Sequence, residues 1–576
     1  MQGLIGKIVA LCIIIFMAAI LTGSQADSFI STEQDSTITA LPALASGLSV
    51  PALSVGTDRA TLVWSKPDGY QDIVGYAIYE NGQFLTDASN NSLSMSESYL
   101  QSFYSDPSNQ DAEKTSTHSF VVSGLGQATT YTFSVKAINS DGSETTVGES
   151  VTVTTQSSGN TLDVASYGAV GDGVTDDTEA IQHAIDACPT NGVVLLPSAK
   201  TFLSGPLYLK ADMTLEIDGT LLASSDASAY QNSGDSSKAA PLLSNEDQAD
   251  ENIRIVGTGT IDGNGWQEAG SDDQGFPAYE KGSDKTVDEC GILAASEFDW
   301  AKTQLGYDDS KAYSWRSNII SMQGVDGLYL GSGLTILNPA QHVISVNECS
   351  DVTLDCLEID SYDCNNGDGI DFCNSQSLLV INSVFDTGDD SIDLNAGYGQ
   401  QGEQKQTVDD VWIFDNYFAH GHAALAVGSG TAAGIEDVLA EDNVIDGEAS
   451  GLRCKTSEKT GGGAHDITFR DSALKNIDEE EGEPFVITSL YPEKEDSTAA
   501  NDEPIFHNIA VKRCTVDGSS GSAILVAGLS SAWHYDLFFS DISFTNTGPA
   551  SLTYLKNSIF DGISSDLGES FFQTQS

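Results

Sequence analysis

From Leu207 to about Phe560, short β-rich segments return roughly every 20 to 30 residues, separated by polar breaks with Asn and Gly at the turns. Residues 213–217, 253–256, 352–354, 377–381, 410–413 and 466–469 are clear examples. A unit this short cannot bury an apolar face by itself, so neighbouring units must stack to share one core. The pattern predicts an all-β chain whose larger part, residues 161–576, is a right-handed, single-stranded parallel β-helix with coils about 4.8 Å apart. Function would then lie along one face of the stack.

The 576 residues, 40% of them hydrophobic, are enough for a large core and for more than one domain. Ahead of the repeats, residues 46–156 hold shorter alternating segments such as 60–64, 75–79 and 130–136, broken by Pro67-Asp68-Gly69 and Asp141-Gly142. Trp64, Tyr76, Tyr79, Leu125 and Tyr131, with Ala137-Ile138-Asn139, make this stretch resemble a fibronectin type III module, a small β-sandwich. Period-2 burial accounts for its aromatics as core, and residues 89–117 read as a long inserted loop. Residues 27–45, rich in Ser, Thr, Ala and Asp, read as a flexible tether.

Lys7, the apolar run Ile8 to Leu21 and the small residues before Asp27 read as a signal peptide over residues 1–26, since the run is shorter than the ~20 residues of a membrane span. The expected location is therefore secreted or periplasmic, with no stable membrane anchor. Eight Cys follow residue 26, namely 188, 290, 349, 356, 364, 373, 454 and 514; their even number permits disulfides, and at least some read as core thiols. The charge of −60, from 24 basic and 84 acidic residues, excludes nucleic acid as a partner. A chain this acidic can bind a polyanion only by gathering its few cations at one site, because charge is screened beyond about 8 Å in physiological salt.

After Gly168-Ala169-Val170-Gly171-Asp172-Gly173, residues 175–187 predict a helix capped by Asp176 or Thr178, with Ala180, Ile181, Ala184 and Ile185 as its apolar stripe. The Asp and Gly cluster lacks the ligand order of an EF-hand and reads as a turn.

One ordered set of polar motifs stands out within the repeats: Asn366-Gly367-Asp368, Asp389-Asp390, Gly421-His422 and Arg453-Cys454-Lys455. Asp368 and Asp389 are 21 residues apart, about one coil, and His422 and Arg453 follow at 32- and 31-residue steps, each a coil with a projecting loop. Three carboxylates on adjacent coils supply what glycoside hydrolysis needs, since crowding raises the pKa of one enough to keep a proton while another activates water. Arg453 and Lys455 alternate with Cys454 on a strand, so the cations face one side and the thiol faces inward.

In this order the motifs resemble those of glycoside hydrolase family 28, the polygalacturonases. The resemblance implies Asp389 as general acid, Asp368 and Asp390 as the pair that positions and deprotonates water, and inversion at the anomeric carbon. It also implies that His422 tunes the acid, Arg453 and Lys455 hold galacturonate carboxylates, Asn366 orients the site, and Tyr491 and His342 contact substrate. No metal or organic cofactor is implied, and the expected partner is polygalacturonate or pectin oligosaccharide. Two departures are Ala423 after His422, where the family has Gly, and Ser391 after Asp390, where Cys is usual. Residues 385–390, 461–463 and 468–470, with insertions at 397–409 and 267–312, resemble bacterial exo-acting members with an N-terminal fibronectin module, in which loops wall off the groove. The competing expectations are an endo-polygalacturonase, a rhamnogalacturonan or xylogalacturonan hydrolase, a pectate lyase, and a non-catalytic glycan-binding protein.

Overall fold

The structure, a computed structural model, describes residues 41–157, 159–232, 238–246, 250–266, 292–361, 364–477, 482–492 and 497–572. The expected signal peptide, most of the tether and Cys290 lie outside the described residues.

From Thr161 onward the chain winds as stacked coils whose strand pairings are all parallel. Eleven short strands, Leu207–Leu209 to Ser551–Thr553, form one face in chain order. The other faces merge into a single 22-stranded sheet because long strands such as Asp326–Leu337 and Gly463–Ile477 run round a corner. Like residues stack inside: Ile344, Ile370 and Ile392 are paired in register, as are Leu425, Leu452, Phe485 and Ile524. All are buried, and each contributes roughly 1.5–3 kcal/mol by leaving water. The expected right-handed parallel β-helix is the fold.

The polar breaks have a backbone reason. Asp351, Ser377, Asp410, Asp437, Asp466, Asn508 and Asp536 each precede an in-register apolar residue and each has φ between 50 and 61°. A second left-handed column, Asn382, Asp415, Asp442 and Asp471, turns the next corner. Short Asx side chains tolerate this conformation where β-branched residues do not, so Asn and Asp recur once per coil.

The first coil is covered by the helix Thr178–Ala187, with Ile181, Ala184 and Ile185 buried and Ala180 packed behind them. The N-cap residue is Asp177, whose side chain makes no cap bond, rather than Asp176 or Thr178; Asp176, one residue earlier, accepts from the Thr178 amide at 3.0 Å. Asp172 accepts from the amides of Val174 and Thr175, and Asp177 from those of Val170 and Gly171, so this acidic cluster organises a turn. The seven described cysteines are free thiols, and six are buried, Cys454 wholly so.

The N-terminal module is an antiparallel sandwich of a three-stranded and a four-stranded sheet. Trp64 and Tyr76 meet edge to face at 5.3 Å in its core with Leu125, Phe133 and Val135. Tyr79 departs from expectation: it lies on the outer face, with Phe84 at its edge and Lys136 over its ring. Residues 89–117 are also not a free loop. They contain the helix Glu97–Ser105, whose Leu100 and Phe103 pack onto Val444 and Ala473 of the β-helix. The end of the expected tether is likewise seated, with Leu44 and Ala45 against Leu379, Ile381, Trp412 and Phe414.

The sandwich docks onto the second column of corner residues. Thr61 bonds Asp355, Asn91 and Ser119 bond Asn382, and Ser119 bonds Asp415. His118 stacks on Phe414 with centroids 3.9 Å apart. Lys66, buried, meets Asp442, Asp471 at 2.6 Å and Glu441 at 3.1 Å. Its ammonium is held well above its ordinary pKa by those carboxylates, despite burial.

Candidate active site

The site is built from the loops that lead into successive strands of the eleven-stranded face. Asn366 and Asp368 precede Ile370–Cys373, Asp389 and Asp390 precede Ile392–Asn395, and His422 precedes Leu425–Val427. Arg453 and Lys455 stand on Leu452–Lys455, and Tyr491 follows Phe485–Thr488. Register carries the loops with it: the amide of Gly369 donates to the carbonyl of Asp390, and that of His422 to the carbonyl of Asp389. One coil spacing thus sets the distance between catalytic candidates.

The nine residues singled out in the sequence come together. Carboxylate oxygens of Asp368, Asp389 and Asp390 lie within 4.8 Å of one another. His422 Nδ1 is 2.9 Å from Asp389 Oδ1, and Asn366 Nδ2 is 3.4 Å from Asp389 Oδ2. His342 Nδ1 is 2.8 Å from Asp368 Oδ1 and 3.2 Å from Asp371 Oδ2. Arg453 reaches the carbonyl of His422 at 3.5 Å, and the Lys455 ammonium lies 5.4 Å from the Tyr491 ring centre. Lys455 differs from expectation in one respect, because its buried ammonium is bonded to Asp390 rather than standing open toward solvent.

Crowding separates the carboxylates electrically. Burial, and next the charge of Asp389, push Asp368 up to about 7, against the opposing pull of His342. Asp389 is the reverse case: burial pushes its pKa upward, but His422 and Lys455 together outweigh it and hold the group well below the ordinary range. The pair therefore shares one proton near neutral pH, and these shifts favour Asp368 as its holder. His342, raised to about 9 by Asp371 and Asp368 against its burial, remains a cation.

Several supporting residues carried no signal in the sequence. Arg316, buried, donates to the carbonyls of Ala340 and Asn365 and to the Asn366 side chain at 2.9 Å, fixing that loop. Glu448, wholly buried behind the Asp389-Asp390 turn, accepts from the Ser391 hydroxyl at 2.7 Å, and burial drives its pKa well up. Ser391, where the resemblance led one to look for Cys, thus ties the Asp389-Asp390 turn to Glu448, whose burial favours its protonated form. A Cβ on Gly421 would lie 2.6 Å from Glu448 Oε2, and Gly421 has φ 148°, which favours glycine there. Asp371 and Asp393 bring two further carboxylates to the same floor.

The floor also holds groups that could take a cation, His342 with Asp368 and Asp371, and Asp368 with Asp389 and Asp390. The imidazolium of His342 and the ammonium of Lys455 already supply positive charge there.

Comparison with known proteins agrees with this geometry. The family model "Glycosyl hydrolases family 28" matches residues 299–559, "Rhamnogalacturonase A/epimerase, pectate lyase-like" matches 161–367, and "Fibronectin type III domain" matches 46–154. The exo-poly-alpha-D-galacturonosidase of Dickeya chrysanthemi is 38% identical over 544 residues, 90% of this chain and 89% of that one. The family 28 exopolygalacturonase of Yersinia enterocolitica superposes with a TM-score of 0.84 at 34% identity, over 91% of this chain and 96% of that chain. An exopolygalacturonase from Thermotoga maritima, at 24% identity and TM-score 0.56, covers 70% of this chain and 92% of its own and shares the fold.

Proposed function

This chain belongs to glycosyl hydrolases family 28, and from that premise we propose that it hydrolyses α-1,4-galacturonosyl bonds of polygalacturonate from a chain end. The observation that carries the reading is the cluster of Asp368, Asp389 and Asp390 with His422 on Asp389 and Lys455 on Asp390. A glycan-binding protein for an acidic sugar gains nothing from three crowded carboxylates, which repel the ligand.

The roles are those the family resemblance implies, and the electrostatics add where the proton rests. Asp389 is the general acid, although the electrostatics of the protein alone favour the proton on Asp368. An incoming galacturonate carboxylate offsets the cations that depress Asp389, raising its proton affinity so that the shared proton moves onto it. Asp368, then ionised, and Asp390 hold and deprotonate the attacking water. The proton from Asp389 goes to the glycosidic oxygen as the C–O bond breaks, and water supplies the new hydroxyl. Arg453 and Lys455 bind the uronate carboxylate, Asn366 orients Asp389, and Tyr491 and His342 border the sugar.

Exo action is supported by the relatives and by the 397–409 insertion. There the amide of Gly399 bonds the Thr460 carbonyl, that of Gln400 bonds the Thr498 carbonyl, and that of Asn501 bonds Glu403. These bonds fasten three loops into a wall. A digestion time course on polygalacturonate tests the reading: early mono- or digalacturonate with little viscosity loss is expected. Mixed oligomers with rapid thinning would make it an endo enzyme, and unsaturated, ultraviolet-absorbing ends a lyase. The carboxylate spacing is tighter than the about 6.5–9.5 Å of an ordinary inverting pair. Proton NMR of the first product, expected to show the inverted anomer, therefore checks the stereochemistry directly.

The pH dependence has a definite sign. Asp368, at about 7, holds the shared proton below that pH and loses it above. kcat/KM is expected to fall about tenfold per pH unit above pH ~7; an alkaline limb absent up to pH 9 would remove Asp368 as the proton store. Residues 1–26 support export to the periplasm or medium, which N-terminal sequencing of the exported protein would test by a start near residue 27.

A further inference from the structure

We propose that Asp393 is a substrate-binding residue, its carboxyl group donating a hydrogen bond from the floor of the groove to an oxygen of the bound uronic acid. The inference rests on the hydrolase reading above and adds a sugar contact to it.

Asp393 lies in Ile392–Asn395, whose Ile392 and Leu394 belong to the interior. Strand alternation turns Asp393 the other way, onto the face that carries Arg453. Register confirms the side, running from Asp371 through Asp393 and Ala426 to Arg453. Asp393 is only 6% exposed, and its Oδ1 is fully buried with no hydrogen-bond partner. The next rung offers only the Ala426 methyl.

A buried carboxyl oxygen without a partner costs stability and is uncommon unless a ligand or solvent completes it. The groups around Asp393 explain why the protein leaves it incomplete. Asp390, Asp371 and Asp368 are carboxyls, Lys455 is engaged by Asp390, and Tyr398 and Cys373 lie alongside. Asp393 therefore has no cation of its own, and burial together with Asp390 drives its pKa well up, which favours its protonated form. A neutral carboxyl group is a donor that does not repel a polyanion, whereas an ionised one in this position would oppose galacturonate.

Kinetics on polygalacturonate across pH test the inference. Asp393→Asn keeps shape and a donor and is expected to have a KM within about twofold of the parent. Asp393→Ala removes the donor and is expected to raise KM about tenfold with kcat within about threefold. The parent KM should climb at alkaline pH as Asp393 ionises, while that of Asp393→Asn should lack this component. An unchanged KM in a folded Asp393→Ala enzyme overturns the inference, as does an Asn variant impaired as much as the Ala one. Should the Ala variant not fold, the pH dependence of KM in the Asn variant against the parent still decides. If the parent enzyme released no product from polygalacturonate, the hydrolase reading would fail first, a result distinct from either.

Discussion

Asp389→Asn is expected to lower kcat on polygalacturonate about 10³-fold while leaving the dissociation constant for oligogalacturonate within a few-fold. The side chain keeps its volume and, through its one oxygen, the bond from His422; its amide nitrogen replaces the oxygen that accepts from Asn366 at 3.4 Å, and it has no proton to deliver to the leaving oxygen. The variant should also separate acid from base. Where the leaving group needs no proton, as in a galacturonide of an acidic phenol, much of the rate should return, because Asp368 and Asp390 still activate water. Asp390→Asn should show no such recovery, since it lacks the base and frees Lys455. Recovery in Asp390→Asn but not in Asp389→Asn would reverse the assignment, and loss of affinity in Asp389→Asn would make Asp389 a binding group.

Lys66→Met should cost about 3–5 kcal/mol, the range for removing one member of a buried charge network. The ammonium is in contact with Glu441, Asp442 and Asp471, all buried, and Arg470 and Arg513 already engage Glu441 and Asp471. Removing Lys66 leaves Asp442 with His118 at 3.3 Å as its nearby cation. Calorimetry should show the melting temperature falling by several degrees, and limited proteolysis should cut between the sandwich and the β-helix. Lys136→Ala, which breaks the exposed pair with Glu144, should leave the melting temperature unchanged. Insensitivity to Lys66→Met would mean that the apolar contacts of Leu44, Ala45 and Val63 with Trp412 and Phe414 and of Leu100 and Phe103 with Val444 and Ala473, together with the Thr61, Asn91 and Ser119 hydrogen bonds, hold the domains together without it. Either result bears on the sandwich's role, which on this geometry is to cover one corner of the β-helix rather than to roam on a tether.

Much of the site was legible because a solenoid turns sequence distance into spatial distance. Asp368 and Asp390 are 22 residues apart in the chain and adjacent on the stack, since Ile370 pairs with Ile392. The alternation of Arg453, Cys454 and Lys455 likewise assigned sides correctly, with the thiol at 0% exposure. Arg316, Glu448 and Asp393 gave no such signal. Each is a common residue type whose meaning comes from burial, and burial depends on which loop folds over which coil. Ser391 looked like a missing cysteine because its partner, Glu448, sits 57 residues away.

The sandwich shows the same division. Trp64 and Tyr76 could be placed in its core by period-2 patterning, whereas Tyr79, three residues beyond Tyr76 on Ile73–Glu80, falls on the outer face by that same alternation. Nothing local in residues 89–117 announces that Phe103 will rest on Ala473, because that contact joins segments hundreds of residues apart. Short-range periodicity alone was enough to give the repeat, its polar turns and the order of acids and cations along the stack. Only the tertiary structure decided which carboxyl holds the proton, which cation is already paired, and how the two domains are clasped. Those depend on desolvation and on charges brought within a few ångströms by packing, and neither is a property of a residue alone.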